Sequence, residues 1–208
     1  MNPAILAYVQ LPGQLPPTIA AQLRAAVPYG RRMRLAQGSA GIASLLGIAL
    51  AHVLLAEVQG KPGASLTLQF PYRKKPLSPG GADFSLSHSG NWLAGLACAS
   101  GRIGLDIEMA APANSNGGTG TRNLADWTAR EAAVKAWSAT LDEMDQVQVG
   151  ATHCHFRQAQ WCLTRPSGPE ELVTAVVSEQ RLVLSVRTLS WESLVVRSDT
   201  PDAEIACA

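Results

Sequence analysis

The chain has 208 residues, is 47% hydrophobic and 16% charged, and carries a formal net charge of +1. That length admits one large domain or two small ones, and the composition is that of a soluble globular protein. A charge so near zero argues against broad non-specific binding to nucleic acid.

The elements are expected in this order. Ile5 to Leu11 reads as a first strand, closed by Pro12-Gly13. Pro17 to Val27 reads as an amphipathic helix stopped by Pro28, and Arg31 to Val58 as a long helix open to interruption near Gly38 or Gly41. Within that helix Leu35 to Ala56 holds no charged residue with His52 neutral, a stretch long enough to cross a bilayer. Its Gln37, Ser39, Ser44 and His52 and its many small residues favour a helix buried in a soluble core. Leu66 to Phe70 and Phe84 to Ser87 read as short strands, and Trp92 to Ala99 and Ile103 to Met109 as consecutive strands about Ser100-Gly101. Ala110 to Asn123, rich in Gly, Asn, Ser and Thr with Arg122 as its single charge, reads as a flexible linker. A helix around Trp127 to Trp137 follows, then strands at Val147 to Phe156, Trp161 to Thr164, Leu172 to Ser178 and Arg181 to Thr188, and a weakly patterned tail after Trp191. The expectation is an α+β chain of two similar lobes with antiparallel sheets, divided as 1–109, 110–123 and 124–208, with a cleft between the lobes.

Chemistry concentrates around Arg102-Ile103-Gly104-Leu105-Asp106-Ile107-Glu108-Met109. Side chains alternate along a strand, so Ile103, Leu105, Ile107 and Met109 share the apolar face while Asp106 and Glu108 share the other. Residues two apart lie about 6.5–7 Å from each other along a strand, within reach of one divalent cation. Trp127, Glu131 and Lys135 recur every four residues on one side of the following helix. Three acidic donors with a nearby lysine suit a Mg²⁺ shared with a substrate phosphate. The clusters Arg31-Arg32-Arg34 and Arg73-Lys74-Lys75 can hold a small polyanion or simply form a solvated basic surface.

The four cysteines, Cys98, Cys154, Cys162 and Cys207, have no short Cys-x-x-Cys spacing. His153-Cys154-His155 is split across two faces by strand alternation, so no metal site is expected there. Reduced thiols and a start without the basic segment of a signal peptide point to the cytoplasm.

Three motifs in order resemble the 4′-phosphopantetheinyl transferases of the larger, Sfp-like type. Phe84-Ser85-Leu86-Ser87-His88-Ser89 resembles that family's Phe-Asn-(Ile/Leu)-Ser-His-Ser, Gly104-Leu105-Asp106-Ile107-Glu108 its Gly-(Ile/Val)-Asp-x-Glu, and Trp127 to Lys135 its Trp-(Ser/Thr)-x-Lys-Glu-(Ala/Ser)-x-x-Lys. Lys75-Pro76 resembles the end of its Gly-Lys-Pro element, with Lys74 in place of the glycine, and Arg130 replaces the lysine before Glu131. The resemblance implies a pseudo-dimer of two α+β lobes with CoA and Mg²⁺ between them. It implies transfer of the phosphopantetheine arm of CoA to a serine of an acyl or peptidyl carrier protein, with release of adenosine 3′,5′-bisphosphate. Asp106, Glu108 and Glu131 would ligate Mg²⁺, Lys135 would contact the pyrophosphate, His88 the CoA phosphates, Lys75 the nucleotide end and Arg31 the 3′-phosphate. Glu131 is the candidate base for the serine proton. A site completed by two fused lobes would permit a monomer. Only 18 residues separate Glu108 from Trp127, where the family carries a longer insert that helps to receive the carrier. The alternatives are a non-catalytic CoA or nucleotide-binding protein of the same fold and a Mg²⁺-dependent phosphohydrolase.

Overall fold

The computed structural model describes residues 2–27, 32, 38–61, 68–71, 75–110 and 120–196. Strand β1 (Asn2–Gln10) is followed by helices α1 (Pro17–Ala26) and α2 (Gly38–Gln59), then by strands β2 (Asp83–Ser89), β3 (Trp92–Cys98) and β4 (Ile103–Met109). Helix α3 (Gly120–Trp137) leads through a 3₁₀ turn (Leu141–Gln146) to β5 (Gln148–Val149), β6 (His153–Phe156), β7 (Ala159–Thr164), β8 (Leu172–Ser178), β9 (Leu182–Leu189) and a closing helix α4 (Trp191–Val196). The α+β class expected from the sequence is the one observed.

The strands form two sheets, in the orders β2-β3-β1-β9 and β4-β8-β7-β6-β5. All described pairings are antiparallel except β1 with β9, which is parallel. The sheets draw on both halves of the chain. Ile103–Met109, expected to end the first lobe, is an edge of the second sheet, and Leu182–Leu189, expected in the second lobe, lies beside β1 in the first.

Alternation along β1 and β3 builds the layers. Ala7, Val9, Leu93 and Ala97 face α2 and bury Leu46, Leu50 and Leu54. Leu6, Tyr8, Ala94 and Leu96 face the other way, against Ile103, Leu105 and Ile107 of β4 and Val176 of β8. The second sheet turns its remaining face, with Ala175, Val177 and Leu163, to the alanines of α3. Helix, sheet, sheet and helix therefore stack in four layers. Two polar bonds pin the sheets together: Tyr8 donates its hydroxyl to Thr174 at 3.0 Å, and the Trp92 indole donates to Glu171 at 2.9 Å.

Helix α2 carries a 20-residue segment of mean hydropathy 2.0, long and apolar enough to cross a membrane by length and composition. Its leucines fill the core under the first sheet, where each fully buried leucine stabilises the fold by about 2 kcal/mol.

Other details depart from the expected elements. Val147 to Phe156 is not one strand but a tight hairpin, because Gly150 N–H closes a turn on the His153 carbonyl at 2.8 Å. Within 66–70 the described residues hold a single bridge, Gln69 with Leu77. The tail starts as helix α4, which buries Leu194 and Val195. Residues 120–123, expected in the linker, belong to α3, and 111–119 lie outside the described residues. Cys98, Cys154 and Cys162 are free, and burial pushes the thiols of Cys98 and Cys154 up to about 11.

A candidate acidic site between strand β4 and helix α3

The polar face of β4 meets α3 at close range, and Gly104 sets that range. A Cβ at Gly104 would fall on the Ala132 carbonyl oxygen and 2.6 Å from Ala136 N, both backbone atoms of α3. Ala129, Ala132, Ala133 and Ala136 are fully buried along the facing stripe. Small residues on both sides let the helix axis approach the strand, and this brings the longer side chains of α3 over Asp106.

Asp106 is 2% exposed. Its Oδ1 accepts from Lys135 Nζ at 2.6 Å and from Ser87 Oγ at 2.7 Å. Its Oδ2 is buried with no hydrogen-bond partner. Glu108, one step further along the same face, is half-buried and accepts from Ser89 Oγ at 2.7 Å.

Glu131 completes the acidic group from the helix. Burial holds its carboxyl above the usual glutamate range, the Asp106 charge adds to this, and Glu108 adds a smaller push. Lys135 and a hydrogen bond from the Trp127 side chain pull the other way. Asp106 and Glu108 therefore both act on Glu131, and Lys135, 2.6 Å from Asp106, acts on it with the opposite sign. A cavity of about 570 Å³ opens beside Glu131 and Lys135, lined also by Lys75, Phe84, Val134 and Leu141 among others. That volume is typical of a small-molecule site.

As the side chains stand, no group of three or more Asp, Glu, His or Cys residues converges on a metal position among the described residues. The donor chemistry nevertheless fits a hard divalent cation. Asp106 keeps one desolvated carboxylate oxygen without a partner, a costly arrangement that a cation would relieve. Lys135 holds the other oxygen of the same carboxylate.

The remaining expected site residues are placed differently. Arg31 lies outside the described residues. His88 is exposed and projects from the face of β2 opposite Ser87 and Ser89, away from the carboxylates. Lys75 lines the cavity, but its amine is held by Asp83 Oδ2 at 2.6 Å and the Ile103 carbonyl at 2.7 Å. Burial keeps that amine below the ordinary lysine range, against the pull of Asp83. The pair is largely buried, with side chains 8% and 17% exposed. Lys75→Met should therefore cost about 3 kcal/mol of stability, because it strands the Asp83 carboxylate. Urea denaturation measures this; an unchanged midpoint would show that Lys75 clamps nothing.

Sequence reasoning missed a row of side chains on β2. Asp83 Oδ2 accepts the Ile103 N–H at 2.9 Å, Ser85 Oγ the Leu105 N–H at 3.0 Å and Ser89 Oγ the Met109 N–H at 3.1 Å. The partners are always 20 residues apart, so β2 and β4 run side by side. The two edge strands are joined by side chains of one bonding to the backbone of the other. Asp83-x-Ser85-x-Ser87-x-Ser89 shows the period of two, but nothing local says which edge it will cap. Arg130, which carries the motif's basic position, donates instead to the Met144 carbonyl of the 3₁₀ turn at 3.2 Å.

The chain matches no protein-family model, and a search of curated proteins finds no match to it.

Proposed function

We propose that this chain is a Mg²⁺-dependent 4′-phosphopantetheinyl transferase. In this reading it is a cytoplasmic monomer that acts as a pseudo-dimer of two α+β lobes, with its site in the cleft between them. The observation that carries the proposal is the buried Asp106 carboxylate with a partnerless oxygen, bound through its other oxygen to Lys135, which together with Glu131 lines a ligand-sized cavity. The ordered motifs around these residues supply the rest of the support.

In this reading CoA lies in the cavity with its pyrophosphate toward Lys135. Asp106, Glu108 and Glu131 would hold Mg²⁺, which when bound would neutralise charge on the pyrophosphate and polarise the phosphorus under attack. Lys135 leaves Asp106 for the pyrophosphate and offsets the charge that develops on the departing bisphosphate. The serine hydroxyl of an acyl or peptidyl carrier protein attacks the β-phosphorus, and its bond to the bridging oxygen breaks. The serine proton passes to Glu131, directly or through water. Burial and two neighbouring carboxylates raise the proton affinity of Glu131, as a base needs. The products are the phosphopantetheinyl serine and adenosine 3′,5′-bisphosphate. Lys75 lines the cavity as one half of its ion pair with Asp83 rather than as a free cation for the nucleotide end, and His88 and Arg31 are left to the outer phosphates of CoA.

Release of adenosine 3′,5′-bisphosphate from CoA, measured with and without an apo carrier protein, tests the reading. Carrier-dependent release is expected. Release that ignores the carrier would make the protein a phosphohydrolase, and bound CoA without release would make it a binding protein.

A further inference from the structure

The β2 serines do more than join two sheets. Three hydroxyls stand at alternate positions, and they do not make the same bonds. Ser85 accepts the Leu105 N–H, a backbone contact only. Ser87 and Ser89 instead reach the carboxylates. Ser87 Oγ receives a hydrogen bond from Lys135 Nζ at 3.2 Å, so its own hydrogen goes to Asp106 Oδ1 at 2.7 Å. Ser89 Oγ receives the Met109 N–H, so its own hydrogen goes to Glu108 Oε2 at 2.7 Å. In both cases the incoming donor settles the direction of the hydroxyl, because a hydroxyl has one hydrogen to give. Each serine thus ties down one named oxygen of one carboxylate. On Asp106 the other oxygen, Oδ2, is the buried atom left without a partner.

Resting on the metal reading above, we propose that Ser87 and Ser89 are positioning residues for the divalent cation, supplied to the β4 carboxylates by the edge strand of the other sheet. The hydroxyls fix the rotation of Asp106 and Glu108 about their side-chain bonds, so that one oxygen of each is presented rather than either at random. Groups of this kind behind a metal ligand typically change metal affinity 10–100-fold when removed. The arrangement also makes the cation site conditional on the seam between the sheets, because the ligands lie on one edge strand and the groups that aim them on the other.

Mn²⁺ serves as the probe, titrated into the full-length protein without CoA and followed by the electron paramagnetic resonance signal of the free ion. Thermal unfolding of each variant is recorded in parallel. Ser87→Ala and Ser89→Ala should each weaken Mn²⁺ binding by about 10–100-fold. Ser89→Thr, at a half-buried position that keeps its hydroxyl, should restore it. Ser85→Ala belongs to the same seam but touches no carboxylate; it should lower the unfolding temperature with Mn²⁺ affinity unchanged. Wild-type affinity in both Ser87→Ala and Ser89→Ala would overturn the positioning role and leave the metal site standing. So would an equal loss in Ser85→Ala, which would reduce the serines to a structural seam. Failure of the wild-type protein to bind Mn²⁺ at all would overturn the metal reading itself, and this inference with it.

Discussion

Glu131→Gln should lower the transfer rate by about 10²–10⁴-fold, the usual cost of removing a general base. The same substitution should leave the metal-free fold no weaker. The sign follows from the environment of the carboxyl. Burial and the Asp106 charge raise its proton affinity in the folded state above that of the unfolded chain. Between the ordinary glutamate range and that raised value the folded state binds more protons, so its stability falls as pH rises through this window. Above that window the ionised carboxylate carries the penalty, and the neutral amide of glutamine removes it. Denaturation of metal-free protein at pH 7 should give a midpoint equal to or above wild type, while steady-state assays show the lost rate. A variant with wild-type kcat would reduce Glu131 to a helix-surface residue.

Gly104→Ala should damage both fold and site. The added methyl group meets backbone atoms of Ala132 and Ala136, which cannot rotate away as a side chain can. The helix must move off the strand, at a cost of about 3 kcal/mol. That is a large share of the 5–15 kcal/mol that holds a typical domain together. The displacement carries Glu131 and Lys135 away from the β4 carboxylates with which they would share the pyrophosphate and its Mg²⁺, so CoA binding should weaken as well. Chemical denaturation and CoA titration on one preparation check both effects. Wild-type stability would show that the close approach of α3 to β4 is not required.

The placement of the acidic side chains on β4 and α3 was largely legible in the sequence because its signals are local. Alternation along Ile103–Met109 placed Asp106 and Glu108 on one face, and the four-residue spacing placed Glu131 and Lys135 on one side of α3. What joins these elements is not local. No pattern in Leu182–Leu189 says that it pairs in parallel with β1, since its partners lie some 180 residues earlier. The membership of β4 in the second sheet was hidden for the same reason. Lys75 looked like a free cation for a phosphate because its partners, Asp83 and Ile103, are fixed only when β2 and β4 meet. The serines of β2 were legible as a motif but not as a device, since each hydroxyl takes its meaning from a group 19 or 20 residues away.

The decisive measurement of the proposed transfer is the intact mass of an apo carrier protein incubated with this protein, CoA and Mg²⁺. The carrier should gain the phosphopantetheine mass with the wild-type protein, and almost none in the same time with Glu131→Gln or without Mg²⁺. A carrier of unchanged mass in the presence of folded, CoA-binding protein would contradict the proposed transfer.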